Sequence, residues 1–410
     1  MKILKQSFFL PLIATLVFWS CTDDKNVGPD IEVNPVEIPA NVSSGTTSFA
    51  FNLLHNLQQT QPSEENLFVS PLSLHIALGM LLNGAEKETE AEILKTLQME
   101  GITMADLNSA YQTLINDLPV ADSKVSLGLA NSMWYRTGFQ VENNFQGVLK
   151  NSFNSEITGL PFDNAAKDRI NQWASDKTSG KIQKVLDKIS PDQVMFLLNA
   201  LYFKGDWKAK FDSKLTVDTP FTLEKGGSKT VKMMNVKSVF KIAADNKFSI
   251  VQLPYSSGQF NMTLIIPHDG ATIDEALSTL TAAKWNELTG RLSEKTVTVG
   301  LPRFKLDYSI KLNETLKKMG IQKAFSDAAD LGRISKSPGL FVDFVKQDTY
   351  LGIDEQGTEA AAVTTIGIGL TSAGPQEPRF ICDRPFGLII SESTSNTLLF
   401  LGRIKNPDSK

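Results

Sequence analysis

Apolar residues Phe49, Ala50, Leu53, Leu54 and Leu57 recur at helical spacing and predict a first helix buried on one face. His55 lies off that face and is expected at the surface. After a turn at Pro62 and Ser63, Ser70 stands before Pro71 at the head of an apolar run. A serine cap followed by proline in the first turn predicts a helix through Leu81. Further helices are expected over residues 86–97, 105–118 and 165–178, the last with a core stripe of Ile170, Trp173 and Ala174, and a strand over 127–135. Residues 194–203 are almost wholly apolar around the polar Asn199, the pattern of a central buried strand. Strands then dominate, over 230–242, 249–253, 262–266, 296–304 and 340–353, with helical segments at 273–280 and 309–319. Helices early and strands later define an α+β class with large, mainly antiparallel sheets.

The 26 residues between Ile353 and Phe380 carry no helical signal and no ordinary turn spacing. Loops of that length inside a compact domain are usually functional. One parity of this segment (Thr358, Ala360, Ala362, Thr364, Ile366, Ile368, Leu370) is small or apolar. The other holds Gly357, Glu359, Val363, Thr365, Gly367 and Gly369. Such a segment can bury one face as a strand while Glu359 stays outside; a β-hairpin arm or a linker with chance alternation is the other reading.

Composition narrows the functions. The chain has 41 Lys+Arg against 45 Asp+Glu and a formal net charge of −4, so nucleic-acid binding lacks a global basic field. Two cysteines, Cys21 and Cys382, exclude a disulfide framework and a thiolate zinc cluster. Cys382 reads as a buried small hydrophobe at a strand. No metal or other cofactor is implied. His75 inside an apolar helix and His268 after Pro267 read as core and surface residues. No Gly-x-Ser-x-Gly, His-Glu-x-x-His or phosphate-loop motif occurs, which argues against a hydrolase.

Lys2 and Lys5, an apolar stretch from Phe8 to Trp19 and Ser20 before Cys21 have the form of a secretory signal, too short to span a membrane. With a cysteine directly after the small residue, the segment resembles a bacterial lipoprotein signal. It implies cleavage after residue 20, lipidation of Cys21 and a membrane association through the lipid alone. An ordinary signal peptide with an incidental cysteine is the alternative. Residues 21–45, polar and carrying Pro29, Pro35 and Pro39, read as an extended tether, with the folded domain over 46–410. The expected location is the outer membrane or cell surface, or otherwise outside the cell.

Seven blocks in order carry a family resemblance: NLFVSPLS at 66–73, LNALYFKGDW at 198–207, LPY at 253–255, LPRF at 301–304, EQGTEAAA at 355–362, RPF at 384–386 and LFLGR at 399–403. By them the chain resembles a serpin. The resemblance implies a fold of three β-sheets with eight to nine helices, an exposed reactive-centre loop over about 355–379, a monomer, and suicide inhibition of proteases. In that scheme the cleaved loop enters the central sheet as a new strand.

Carried onto this sequence, the resemblance makes Glu355, Gly357, Thr358, Glu359, Ala360, Ala361 and Ala362 the hinge, whose small inward residues accompany inhibitory action in the family. Counting sixteen positions from Glu355 places the reactive bond between Thr371 and Ser372. Thr371 fits an elastase-like pocket, and subtilisin-like enzymes are also candidate targets. Leu370 suits papain-like cysteine proteases or a cut one bond upstream. No Lys or Arg lies between Gln356 and Glu377, which argues against trypsin-like targets. Ser70, Ser73 and Asn199 are implied as a polar cluster beneath the strands that part, with Trp207 near the point of insertion. Gln347 stands where the family usually has a cluster histidine. Arg303 is expected to pair with Glu355. The rival reading is a non-inhibitory binding or substrate-like serpin, since Gly367 and Gly369 weaken the late part of the insert.

Overall fold

The computed structural model describes residues 33–358 and 377–407. Among them nine helices form: α1 (Ala40–Thr60), α2 (Pro71–Gly84), α3 (Lys87–Thr96), α4 (Met104–Asp117), α5 (Asn143–Phe153), α6 (Asn164–Lys177), α7 (Ile273–Ser278), α8 (Ala282–Gly290) and α9 (Asn313–Met319). The strands are β1 (Leu67–Val69), β2 (Val125–Arg136), β3 (Glu156–Leu160), β4 (Met195–Asp206), β5 (Val217–Thr222), β6 (Ser228–Ala244), β7 (Phe248–Pro254), β8 (Phe260–Pro267), β9 (Ser293–Pro302), β10 (Phe304–Lys311), β11 (Lys346–Ile353), β12 (Gly357–Thr358), β13 (Arg379–Ile381), β14 (Phe386–Glu392) and β15 (Thr397–Ile404).

One sheet has the order β10-β11-β12-β4-β2-β3; the other runs β1-β15-β14-β8-β7-β6-β9-β13, with β5 also on β6. The α+β class is the expected one. Two of the three expected sheets share one ladder, because the 17-residue β6 pairs with β5 along its first part and with β7 along its last. Helix α2 is buried nearly all round and packs on β4 and on β15, so it joins the two sheets. Its start is the expected one: the Ser70 hydroxyl accepts from Ser73 N–H at 3.1 Å, and Pro71 opens the helix. A second, smaller core, built on Trp134, Phe162, Ile170, Trp173 and Phe196, lies between α6 and the β2–β4 strands.

Four boundaries depart from the pattern. The folded part begins before Thr46: α1 starts at Ala40, Val36 and Val42 are fully buried, and Asn34 N–H donates to Ala121 O at 2.9 Å. The expected tether through Gly45 therefore ends earlier. Small residues at 43–47 hid this start, since they pack closely without an apolar stripe. The strand expected over 296–304 is two strands, because at Arg303 the chain passes from one sheet to the other. The helix expected over 309–319 is α9 alone, and Ser309 lies in β10, whose Leu306 and Ile310 are buried between exposed neighbours. The strand expected over 340–353 starts only at Lys346, where its partner β10 ends at Lys311. His55, expected at the surface, is half-buried, with Nε2 3.3 Å from Leu277 O.

His75 of α2 is a core residue, as expected. Its Nδ1 lies 2.9 Å from Tyr111 Oη, its Nε2 lies 3.1 Å from Leu97 O, and Phe49 meets the ring edge-on. Burial holds its pKa down from 6.5 to about 4. The unfolded chain therefore takes up a proton at this site at a higher pH than the folded chain does. The stability this provides is complete above pH 6.5 and is lost as pH falls towards 4. Between pH 7 and pH 5 the loss from this one group is about 2 kcal/mol. Urea titrations at both pH values should show it, and His75→Gln should remove most of the difference. An equal pH dependence in the variant would contradict the assignment.

Candidate functional site

The hinge and its surroundings are built by β4, β11 and the turn that follows β11. Asp354 closes that turn: its Oδ1 accepts from Gln356 N–H at 2.9 Å and from Gly357 N–H at 3.2 Å. The chain then re-enters the sheet as β12. Thr358 is paired with Ile353 on one side and Gly205 on the other, and Gly357 with Asp206. Gly357 has no room for a side chain, since a Cβ there would overlap the Gly205 carbonyl and lie 2.7 Å from Asp206 Cα.

Thr358 faces inward and is 3% exposed. Its hydroxyl lies 2.6 Å from the Tyr255 phenol, which burial pushes above its ordinary pKa and so keeps neutral. Trp207 stacks on Tyr255 at 4.5 Å, donates from its indole to Asp354 O at 3.0 Å, and binds Gln356 O through its backbone N–H at 2.8 Å. Glu355 is buried, accepting from Thr216 Oγ1 at 2.8 Å and paired with Arg303 at 3.4 Å, as expected for Arg303. At the other end of the loop, β13 runs parallel to β9, and Glu377 pairs with Lys237 at 2.7 Å.

Beyond Thr358 no ladder among the described residues joins β11 to β4. A cavity of about 420 Å³ lies between them, lined by Leu78 of α2, Trp173 of α6, Leu198, Asn199, Phe344 and Gln347 among others. The β4 backbone edge facing it is the edge of a slot that no described residue fills.

The expected polar cluster divides between the two sides of this slot. Gln347 on β11 grips Ser70, its Oε1 accepting from Ser70 N–H and its Nε2 donating to Ser70 O, both at 2.9 Å. The Ser70 hydroxyl donates to Leu399 O at 2.7 Å and also accepts from Ser73 N–H. Asn199 on β4 is not bonded to them; it donates to Asn131 Oδ1 at 2.7 Å, and its own buried Oδ1 has no donor. Trp207 stands at the hinge end, near the point of insertion. Tyr255, Asn131 and Thr349, whose hydroxyl donates to Phe68 O at 2.7 Å, also belong to the site. Their roles are not legible in the sequence; Tyr255, for one, meets Thr358 across 103 positions and no local pattern marks that meeting. Glu359, Ala360, Ala361, Ala362, Leu370, Thr371, Ser372 and Cys21 lie outside the described residues. Cys382 is buried just after β13, where burial pushes its thiol pKa up.

Because Gln347 is an amide, opening the slot involves no titration at this position between pH 5 and 8. In the insertion scheme that the family resemblance implies, the rate of loop insertion should take little pH dependence from this site, and Gln347→His should introduce a change near pH 6.5. Stopped-flow fluorescence of a labelled loop tests both. A sharp transition in the native chain that disappears on changing Gln347 would contradict the prediction.

The family described as Serpin (serine protease inhibitor) matches residues 44–407. The leukocyte elastase inhibitor of Sus scrofa is 35% identical over 379 residues, covering 89% of this chain and 99% of that protein. Among solved structures, the thermophilic serpin tengpin in its native state superposes with a TM-score of 0.83 at 30% identity, covering 92% of this chain and 97% of that one. Thyroxine-binding globulin in complex with thyroxine superposes with a TM-score of 0.81 at 29% identity, covering 90% of this chain and 99% of that one.

Proposed function

The chain belongs to the serpin family, whose description is serine protease inhibitor, and from that premise we propose that it is a suicide-substrate inhibitor of elastase-like or subtilisin-like serine proteases. The observation that carries the reading is the hinge. Thr358 is already paired on both sides and Gly357 with Asp206, at the mouth of a slot that no described residue fills, so the first step of strand addition is made before any cleavage.

The proposed sequence is as follows. The protease serine adds to the carbonyl of Thr371, the bond to Ser372 breaks as its nitrogen takes a proton, and an ester joins protease to Thr371. The freed strand continues β12 into the slot. Fourteen residues, from Thr358 to Thr371, extend about 46 Å and carry the protease with them. Insertion competes with hydrolysis of the ester. The inward residues Thr358, Ala360 and Ala362 favour insertion because none is bulky or charged.

Thr371 suits an elastase-like pocket, and the name of the Sus scrofa relative, leukocyte elastase inhibitor, agrees with it. Leu370 extends the proposal to papain-like cysteine proteases. A monomer exported by its signal and held at the membrane through a lipid on Cys21 completes the reading. Incubation with an elastase, a subtilisin and a papain-like enzyme, followed by denaturing electrophoresis and mass spectrometry, tests it. A denaturant-resistant complex with a released peptide starting at Ser372 is the expected result. Cleavage with no complex would favour the second reading, a non-inhibitory binding serpin, for which the likeness to a thyroxine complex is the supporting observation.

A further inference from the structure

On the face of the six-stranded sheet turned away from Tyr255, one row of positions is positive and incomplete. Lys204 of β4 stands directly opposite Ser126 of β2, and Lys305 of β10 stands directly opposite Gly352 of β11. Lys204 is half-buried and Lys305 is exposed, and neither has an ion-pair partner among the described residues. Gly352 leaves the β11 position of the row without a side chain, and the Tyr350 hydroxyl lies over it, 2.8 Å from where a Cβ would stand. The acids of the adjoining rows do not complete this one. Asp206, two residues along β4, is paired with Lys210 at 3.2 Å, and Asp307 lies two residues along β10, opposite Tyr350.

The register shows what completes the row. Thr358 is opposite Gly205 and Ile353, so continuing the ladder by one residue places Glu359 opposite Lys204 and Gly352. Thr358 faces inward, and alternation therefore turns residue 359 to the outward face, where the two lysines stand. Directly opposite side chains on neighbouring strands have Cβ atoms about 5 Å apart, within reach of a carboxylate and an ammonium group. Lys305 is two strand spacings from the same position, about 9.6 Å, and Gly352 places no side chain of its own between them.

We propose that Lys204 receives Glu359 as the cleaved loop enters the sheet, with Lys305 as a weaker second partner, and that this ion pair speeds insertion. The proposal rests on the insertion reading above and deepens it. Lys204 touches no reacting atom; it is a positioning residue. The pair forms when a single row has been added beyond Thr358, so it acts on the rate of insertion as well as on the stability of the inserted form. It leaves the cutting of the loop unchanged, because cutting precedes it. Both partners stay at the sheet surface, so salt weakens the pair.

The test uses the full chain with Lys204→Glu, with Glu359→Lys, and with both changes together. Three quantities are read: the rate at which an elastase cuts the loop, the rate of insertion after the cut by stopped-flow fluorescence of a labelled loop, and the thermal midpoints of the cleaved and uncleaved forms. Each single reversal should leave cutting unchanged, slow insertion at least threefold and lower the midpoint of the cleaved form alone. The double reversal restores opposite charges across the row, so it should return insertion to within about twofold of the native rate. Lys305→Glu should move the same quantities less, and 0.5 M salt should shrink every difference. Lys204→Gln keeps the stem and drops the charge; it serves if Lys204→Glu does not fold, and should slow insertion by a smaller factor. Single reversals without effect on insertion, or a double reversal no faster than the slower single one, overturn the pair, because a merely structural lysine would not be rescued by a charge on the loop. A native chain whose midpoint does not rise on cleavage overturns the insertion reading itself, and the pair with it.

Discussion

Thr358→Arg should turn the protein from an inhibitor into a substrate, with the loop cut at the native rate and denaturant-resistant complex reduced at least tenfold. Thr358 is the first residue committed to the slot. It is paired on both flanks and its hydroxyl meets Tyr255, whose ring packs against Trp207 and Phe203. The side-chain partner Thr358 has there is the neutral Tyr255 phenol, which offers a guanidinium no countercharge. Placing an unpaired charge in such a site costs several kcal/mol, so the hinge would leave the sheet instead. Insertion then has to start without its first pairs. Every 1.4 kcal/mol added to that barrier slows insertion by about tenfold, while ester hydrolysis, which takes place in the protease, is unaffected. Thr358→Ser, which keeps the hydroxyl, should retain nearly native trapping. Gly357→Ala should fall between them, since its Cβ overlaps the β4 backbone and can be accommodated only by moving β12. Electrophoresis of timed mixtures gives cleaved and complexed fractions from the same lanes, and undiminished complex with Thr358→Arg would refute the role given to the hinge.

Much of this site is legible in the sequence, and the reason lies in local constraints. The Ser70–Pro71 pair signals the start of α2, the apolar run around Asn199 signals β4, and the alternation after Gly357 signals a segment able to bury one face. What is not legible depends on contacts between distant positions. The end of β11 at Lys346 is set by the end of β10, and the amide of Asn199 turns to Asn131 because β2 and β4 place those residues opposite each other. No helix is expected over α5 or α8. Helix α8 buries only Trp285 and Leu288, too few to show a stripe, whereas Phe145, Leu149 and Phe153 of α5 do fall at helical spacing and are a signal that was there to be used. The folded stretch before Thr46 has no apolar period because it adds backbone and small side chains to surfaces made elsewhere.

Cleavage of the reactive bond should raise the thermal midpoint of the protein by at least 10–15 °C, a large gain for a single cut in a peptide chain. The slot explains its size. In the native arrangement the β4 and β11 edges beyond Thr358 have no ladder between them, and no strand fills the cavity they border, among the described residues. An inserted strand of about a dozen residues supplies partners to both edges, and at about 1 kcal/mol net per hydrogen bond the gain is on the order of 10 kcal/mol. For a domain of this size roughly 1–2 °C accompanies each kcal/mol. The register adds a specific contribution: continuing from Thr358, Thr364 falls opposite both Asn199 and Gln347, on the same inward face. Its hydroxyl is then the donor that the buried Asn199 Oδ1 lacks in the native arrangement. Thr364→Val retains the shape and removes that donor, so it should lower the midpoint of the cleaved form, by about 1–3 kcal/mol in stability, and leave the uncleaved form unchanged. Calorimetry on both forms separates the two effects. No rise on cleavage would mean that the strand stays out of the sheet, and an equal loss in both forms of Thr364→Val would mean that the register does not continue past the hinge.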